Sequence, residues 1–247
     1  MAQSLNGKVA LVTGASSGIG AATVSELLSE GVRVVAAARR LDRLSELQRT
    51  LGADGEHFLA VQCDIRDEVA ADQLVRRAVG WGGRLDVLVN NAGLARGALH
   101  EHGTVEDLRV MLDTNVFALA NLTRLATPAL KQSRGNIVNV ASTVVRALGR
   151  GSAVYAATKA AVAAFSEVVR KELCADNVRV ITVFPGFVET EFLDNFDDRK
   201  RRELEQARAA LQALEARDVA EVIAFALTRP PHVSLNEIFV RPTMQAG

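Results

Sequence analysis

Thr13-Gly14-Ala15-Ser16-Ser17-Gly18-Ile19-Gly20 joins a short apolar run, Lys8 to Thr13, to a segment with helical periodicity, Ile19 to Ser29. A glycine-rich turn between a strand and a helix has a physical use. Glycine permits the tight bend and a close approach of backbone to ligand, and the following helix offers unpaired N–H groups and its positive dipole end to an anion. In doubly wound folds that anion is the pyrophosphate of a dinucleotide. The gap of three residues between Gly14 and Gly18 sets this turn apart from Gly-x-Gly-x-x-Gly spacing.

The alternation of short apolar run and longer amphipathic segment continues along the chain. Strands are predicted at Lys8 to Thr13, Arg33 to Ala38, His57 to Gln62, Leu85 to Asn90, Asn136 to Ala141, Val178 to Phe184 and Glu237 to Val240. Helices are predicted at Ile19 to Ser29, Asp42 to Leu51, Val69 to Val79, Thr104 to Ala120, Ala153 to Ala175 and Asp218 to Ala226. Repeated β-α units of this kind make an α/β, doubly wound, Rossmann-type fold: a seven-stranded parallel sheet with helices on both faces. The five prolines are placed at element ends, and no linker or repeat interrupts the chain, so residues 1–247 are expected to form a single domain.

Composition narrows the partners. Lys plus Arg and Asp plus Glu both number 29, so no net positive field favours nucleic acid or anionic lipid, and neither is expected as a partner. No apolar run approaches the ~18 residues that span a bilayer, and the N-terminus lacks an apolar leader. Cys63 and Cys174 have neither the number nor the spacing of a disulfide framework, and the four histidines form no metal pattern. Reduced thiols, no metal and a cytoplasmic location are the expectation.

The end of the second strand decides between the two nicotinamide dinucleotides. There a carboxylate would bond the ribose 2′-hydroxyl, and an arginine would pair with a 2′-phosphate. The sequence reads Ala36-Ala37-Ala38-Arg39-Arg40, with no acid until Asp42. Arginines at such a junction can also be merely solvated. The missing acid favours phosphate recognition, so NADP(H) is predicted, with Arg39 ahead of Arg40.

Tyr155-Ala156-Ala157-Thr158-Lys159 lies in a predicted helix, which puts Tyr155 and Lys159 on one face. A phenol of pKa ~10 needs ~4 kcal/mol of phenolate stabilisation to titrate three units lower. A neighbouring ammonium and an oxidised nicotinamide both act in that direction, making Tyr155 a candidate general acid or base. Ser142 ends the fifth strand at the carboxyl edge of the sheet, where its hydroxyl can hold a carbonyl oxygen beside the tyrosine. Each residue alone has an ordinary structural reading: surface pair, strand-end cap. Their combination is what points to chemistry.

These motifs resemble the short-chain dehydrogenase/reductase family, whose pattern is Thr-Gly-x-x-x-Gly-x-Gly, and the resemblance runs from Gly7 to the last strand. It implies hydride transfer between NADP(H) and a carbonyl or alcohol carbon of a small polar substrate, with Asn115, Ser142, Tyr155 and Lys159 as the catalytic set. It implies dinucleotide contacts at Gly14, Ser16, Ser17, Gly18, Ile19 and Gly20, at Arg39 and Arg40, and at Asp64 and Ile65 beside the adenine. It adds Asn91, Ala92 and Gly93 after the fourth strand, then Tyr155, Lys159, Pro185, Gly186, Val188 and Thr190 near the nicotinamide. Asn115 would anchor a water leading to the lysine.

The charged segment Leu193 to Leu214 reads as a solvated helix on composition, and as a substrate cover over about 190–214 by resemblance. Family members are dimers or tetramers, which implies a homo-oligomer. Thr143-Val144-Val145-Arg146 departs from the family in lacking a small glycine, and Arg146 could meet a substrate carboxylate or simply face solvent. The ending Asn236 to Thr243 is similar to NADP-dependent members acting on short hydroxy acids and amino-alcohols, and to the reductase that forms clavulanic acid from its aldehyde. A different class stays open: a catalytically silent NADP(H)-binding sensor or scaffold, because fold alone does not guarantee chemistry.

Overall fold

Alternating residues of Val9–Thr13 (β1) face opposite sides of the sheet, and all of them are buried, which is why this strand reads as one continuous apolar run. The computed structural model describes residues 3–96, 99–191, 201–202, 205–206 and 211–246. Within it Arg33–Ala38 (β2), Phe58–Gln62 (β3), Val87–Asn90 (β4), Asn136–Val140 (β5), Arg179–Pro185 (β6) and Glu237–Val240 (β7) join β1 in one sheet of order β3-β2-β1-β4-β5-β6-β7. All six pairings are parallel. The order reverses between β1 and β4, where Leu11 lies beside Leu88. Such a reversal opens a crevice at the carboxyl ends of the strands.

The two faces are covered by different helices. Gly18–Ser29 (α1) and Ala216–Leu227 (α7) pack Val24, Leu27, Val219 and Ile223 against Ala10, Val12 and Val87. Leu41–Leu51 (α2) adds Leu44 to that side. On the other face Glu68–Gly82 (α3) and the helix Ala118–Ser133 (α5) bring Leu74, Leu122 and Leu130 onto Val9, Leu11 and Leu88. The helix Ala153–Leu173 (α6) completes this layer beside Phe184 of β6.

Two ties close the molecule across its length. The buried Arg179 guanidinium donates to Asn136 Oδ1 at 2.6 Å, and to the carbonyls of Leu227, Arg229 and Val233 at 2.9–3.1 Å. It thereby satisfies the last turn of α7, whose carbonyls have no partner within the helix. Near the start of the chain, Gln3 N donates to Thr228 O at 2.8 Å and Gln3 Nε2 to Leu227 O at 3.1 Å.

Two expectations need correction. The helix expected over Thr104 to Ala120 is instead Val105–Leu112 (α4), a π-helical turn at Asp113–Phe117, and α5, which runs on to Ser133. Pro128 lies inside α5 rather than at an element end. Proline there forfeits one backbone hydrogen bond, and burial of Leu122, Ala126 and Leu130 outweighs that loss. Among the described residues no helix is long and apolar enough to cross a membrane.

Leu122 is fully buried between α5 and the sheet, whereas Val105 on α4 is 66% exposed. Leu122→Ala should therefore cost about 3 kcal/mol in urea unfolding, and Val105→Ala less than about 0.5 kcal/mol.

Candidate active site

A cavity of about 1030 Å³ runs along the carboxyl edge of the sheet. It is lined by Gly14 after β1, Arg39 after β2, Asp64 after β3, Asn91 after β4, Ser142 after β5 and Gly186 after β6. Its floor is the glycine turn. A methyl group built on Gly14 would lie 2.8 Å from Ala92 Cα, and one on Gly20 would collide with the Gly14 carbonyl oxygen and meet Asn91 Nδ2 at 2.5 Å. Gly14 also has φ +64°, a left-handed conformation that side chains disfavour.

The helix starting at this turn is left uncapped by its own residues. Asp67 caps α3 and Thr104 caps α4, but Ser17 at the N-cap of α1 makes no side-chain bond to the first turn. No acid occupies that turn either. These N–H groups are available to an anion, and the missing side chains at Gly14 and Gly20 leave the backbone close enough to hold one. The residues present therefore fit a dinucleotide pyrophosphate.

At the end of β2 the two arginines differ. Arg39 is exposed on the cavity wall, and its guanidinium makes no hydrogen bond or ion pair with a described residue. Arg40 is committed. Its Nη2 donates to Ser16 Oγ at 3.2 Å and Ser17 Oγ at 3.0 Å, and its Nη1 pairs with Glu191 at 3.1 Å. Arg43 of α2 takes the other Glu191 oxygen. Arg43 first, then Arg40, holds the Glu191 carboxyl below the usual carboxylate range.

Asp64 is likewise engaged. Arg66 Nη2 donates to its Oδ2 at 2.6 Å and holds its carboxyl low. Thr190 packs over Gly18, its Cγ2 2.9 Å from where a Cβ would stand.

The chemical end lies across the cavity. One turn of α6 separates Tyr155 from Lys159, whose Nζ lies 5.9 Å from the phenol ring centre and donates to Val140 O at 2.7 Å. Burial pushes Lys159 down to about 8. Burial also pushes Tyr155 up to about 12, against the pull of a hydrogen bond from Ser142. In the chain alone the phenol is thus raised, desolvation of the phenolate being the largest cause and the Ser142 hydrogen bond the one that lowers it.

Asn115 sits behind the cavity wall rather than on it. It is 1% exposed in the π-helical turn, with Nδ2 donating to Leu94 O at 2.8 Å and Thr158 Oγ1 at 3.0 Å, and Oδ1 accepting from Leu94 N at 2.9 Å. Both Asn115 Oδ1 and Lys159 Nζ lie 3.3 Å from where a Cβ on Gly93 would stand.

The cavity thus brings together Ser16, Ser17, Ile19, Ile65, Ala92, Gly93, Pro185 and Val188 with the residues above, and leaves Gly20 and Asn115 just beneath its surface. Arg146 is not part of the lining: it stacks on Phe239 at 3.9 Å and lies 3.7 Å from Glu237. Arg150 takes its place on the wall.

Residues missed from sequence are Arg43, Arg66, Arg150, Glu191 and Gln245. Gln245 Oε1 accepts from Phe187 N at 3.1 Å, tying the chain's last residues to the loop after β6. Of the segment expected to cover the substrate, 192–200, 203–204 and 207–210 lie outside the described residues. Its two ends are joined, Glu189 N donating to Leu214 O at 2.8 Å and Leu214 N to Phe187 O at 2.9 Å.

Residues 8–201 match the family described as short chain dehydrogenase. An uncharacterised oxidoreductase of Staphylococcus haemolyticus is 36% identical over 239 residues, 96% of this chain and 98% of that one. The closed form of a serine dehydrogenase complexed with NADP+ superposes with a TM-score of 0.87 at 35% identity, covering 96% of both chains. A 3-ketoacyl-(acyl-carrier-protein) reductase from Brucella melitensis, complexed with NADH, gives a TM-score of 0.86 at 30% identity over 97% of this chain and 99% of that one. Sheet order, glycine turn and matched length agree, and the chain belongs to the short-chain dehydrogenase/reductase family of oxidoreductases.

Proposed function

We propose that the chain transfers a hydride between NADP(H) and a carbonyl or alcohol carbon of a small polar substrate. The observation that carries this reading is the presence of Ser142, Tyr155 and Lys159 in the same cavity as the glycine turn and the uncommitted Arg39. The serine dehydrogenase neighbour bound to NADP+ supports it, although the Brucella reductase carries NADH.

When bound, NADP(H) supplies or accepts the hydride, and its oxidised ring adds a positive charge that favours the phenolate. Gly14, Ser16, Ser17, Gly18, Ile19 and the first turn of α1 hold the phosphates, with Arg39 and Arg40 at the ribose edge. Asp64, Ile65, Asn91, Ala92 and Gly93 line the adenine side, and Pro185, Gly186, Val188 and Thr190 the nicotinamide side.

Ser142 donates a hydrogen bond to the substrate oxygen, stabilising the charge that grows there. Tyr155, protonated at neutral pH because burial raises its pKa to about 12, gives its proton to that oxygen in reduction and takes one in oxidation. Lys159 steadies the phenolate by its charge, and Asn115 positions the Leu94 loop and Thr158 behind it. Leu211 lines the wall beside Thr190, and Leu214 is bonded to Phe187 and Glu189. A homo-oligomer in the cytoplasm belongs to the same reading, with exposed Leu112, Phe117 and Phe225 as apolar contact surface.

Three outcomes are expected. Initial rates against a panel of short aldehydes, keto acids and amino ketones should show turnover with NADPH, and Tyr155→Phe should lower it by about 10²–10⁴-fold while leaving the NADPH Kd within about twofold. Equal loss of binding and turnover contradicts the assigned role.

Lys159 loses its proton near pH 8, and with it the charge that stabilises the phenolate. Reductive kcat/KM should therefore decline above about pH 8, since it reports the free enzyme; a profile flat to about pH 10 would exclude Lys159. Arg39→Ala should weaken NADPH binding by about tenfold and leave NADH unchanged, measured by fluorescence titration.

A further inference from the structure

Glu191 lies far from β2 in sequence, yet its carboxylate sits at the ribose edge between two arginines. Arg40 Nη1 reaches Oε2 at 3.1 Å and Arg43 Nη1 holds Oε1. Three further donors of Arg40 go to serines: Nη2 to Ser16 and Ser17 Oγ, and Nε to Ser16 Oγ at 3.4 Å. Of the three arginines at this rim, only Arg39 has no hydrogen bond or ion pair to a described residue. A phosphate monoester carries a charge of about −1.5 to −2 at pH 7 and is best held by more than one cation. Beyond Arg39, the cations at this rim are Arg40 and Arg43, and both are paired with Glu191.

We propose that Glu191 is a determinant of nucleotide preference: an internal anion that holds Arg40 and Arg43 when no 2′-phosphate is present and surrenders them when one binds. The inference rests on the NADP(H) reading and refines it. The doubly charged phosphate outcompetes a singly charged carboxylate for the arginines, so NADP(H) can displace Glu191. NAD(H) offers only a neutral hydroxyl at that point, displaces nothing, and can accept help from the resident carboxylate as from the acid that ends β2 in NAD-binding folds.

Glu191 thus opposes NADP(H) selectively and softens the preference that Arg39 and Arg40 create. Glu191, Arg40 and Arg43 side chains are 45%, 43% and 40% exposed, so the effect is moderate and falls with ionic strength.

The test is calorimetric binding of NADPH, NADH and the fragment pair 2′,5′-ADP and 5′-ADP to the wild-type chain and to Glu191→Gln, at low and high salt. Thermal unfolding of both proteins checks that the fold is kept. The expected result is that Glu191→Gln binds NADPH and 2′,5′-ADP roughly three- to tenfold tighter at low salt, less so at high salt, with NADH and 5′-ADP within about twofold.

Unchanged NADPH binding, or weaker binding of the phosphorylated pair, overturns the proposal, the latter by making Glu191 an organiser of the arginines. So does an equal shift for NADH. A wild-type protein with no preference for NADPH overturns the NADP(H) reading itself, and is seen before any variant is made.

Discussion

Gly14 and Gly20 lie so close to Asn91 that the chain has no room for a side chain at either position. The Asn91 amide donates to the carbonyls of Thr13 and Gly14 at 3.0 and 3.2 Å, and the Thr13 hydroxyl accepts the N–H groups of Asn91 and Ala92, both at 3.2 Å. The same hydroxyl donates to Val89 O. The ends of β1 and β4, the strands flanking the reversal in sheet order, are therefore locked together where their ladder stops. The crevice at that point keeps its floor because these bonds hold the two loops at a fixed separation.

From this lock a second polar chain carries order into α6. Asn90 Nδ2 donates to Asn139 Oδ1 at 2.8 Å and Thr123 Oγ1 at 3.0 Å, and Asn139 Nδ2 donates to Ser166 Oγ at 2.8 Å. Four buried side chains, Asn90, Thr123, Asn139 and Ser166, thus join β4, β5, α5 and α6, with Asn90 Oδ1 left without a hydrogen-bond partner among the described residues, and their directional bonds restrict the packing where apolar contacts tolerate several arrangements. Lys159 adds its bond to Val140 O on the same strand. The register of α6, and with it the position of Tyr155, is inherited from β5.

Much of this was legible in the chain because it is local. Apolar runs of four to seven residues show strands, the glycine spacing after β1 shows a turn with a helix behind it, and a spacing of four from Tyr155 to Lys159 places them on one face. What escaped is non-local. Arg43 and Glu191 are 148 residues apart, and nothing in either neighbourhood announces the other. Arg146 and Arg150 are equivalent by composition; only the fold turns one onto Phe239 and the other onto the cavity. The desolvation that raises the Tyr155 phenol escaped for a related reason, since a neighbouring charge can be read from spacing but desolvation depends on everything packed around the ring. Pro128 misled in the opposite way, its local preference being overridden by a buried face.

The packing of α1 against α7 also has a temporal side. Val12, Val24 and Leu27 find their cover in Val219, Ile223 and Leu227, and Gln3 bonds to Leu227 and Thr228. A ribosome delivers the first of these long before the last. During synthesis the glycine turn and its helix therefore wait with one apolar flank bare, and contacts closing so long a loop form slowly even afterwards. The half of the chain that carries the glycine turn is the first to be made and among the last to be sheltered, so the growing chain is most exposed to aggregation until residues beyond Leu227 have emerged.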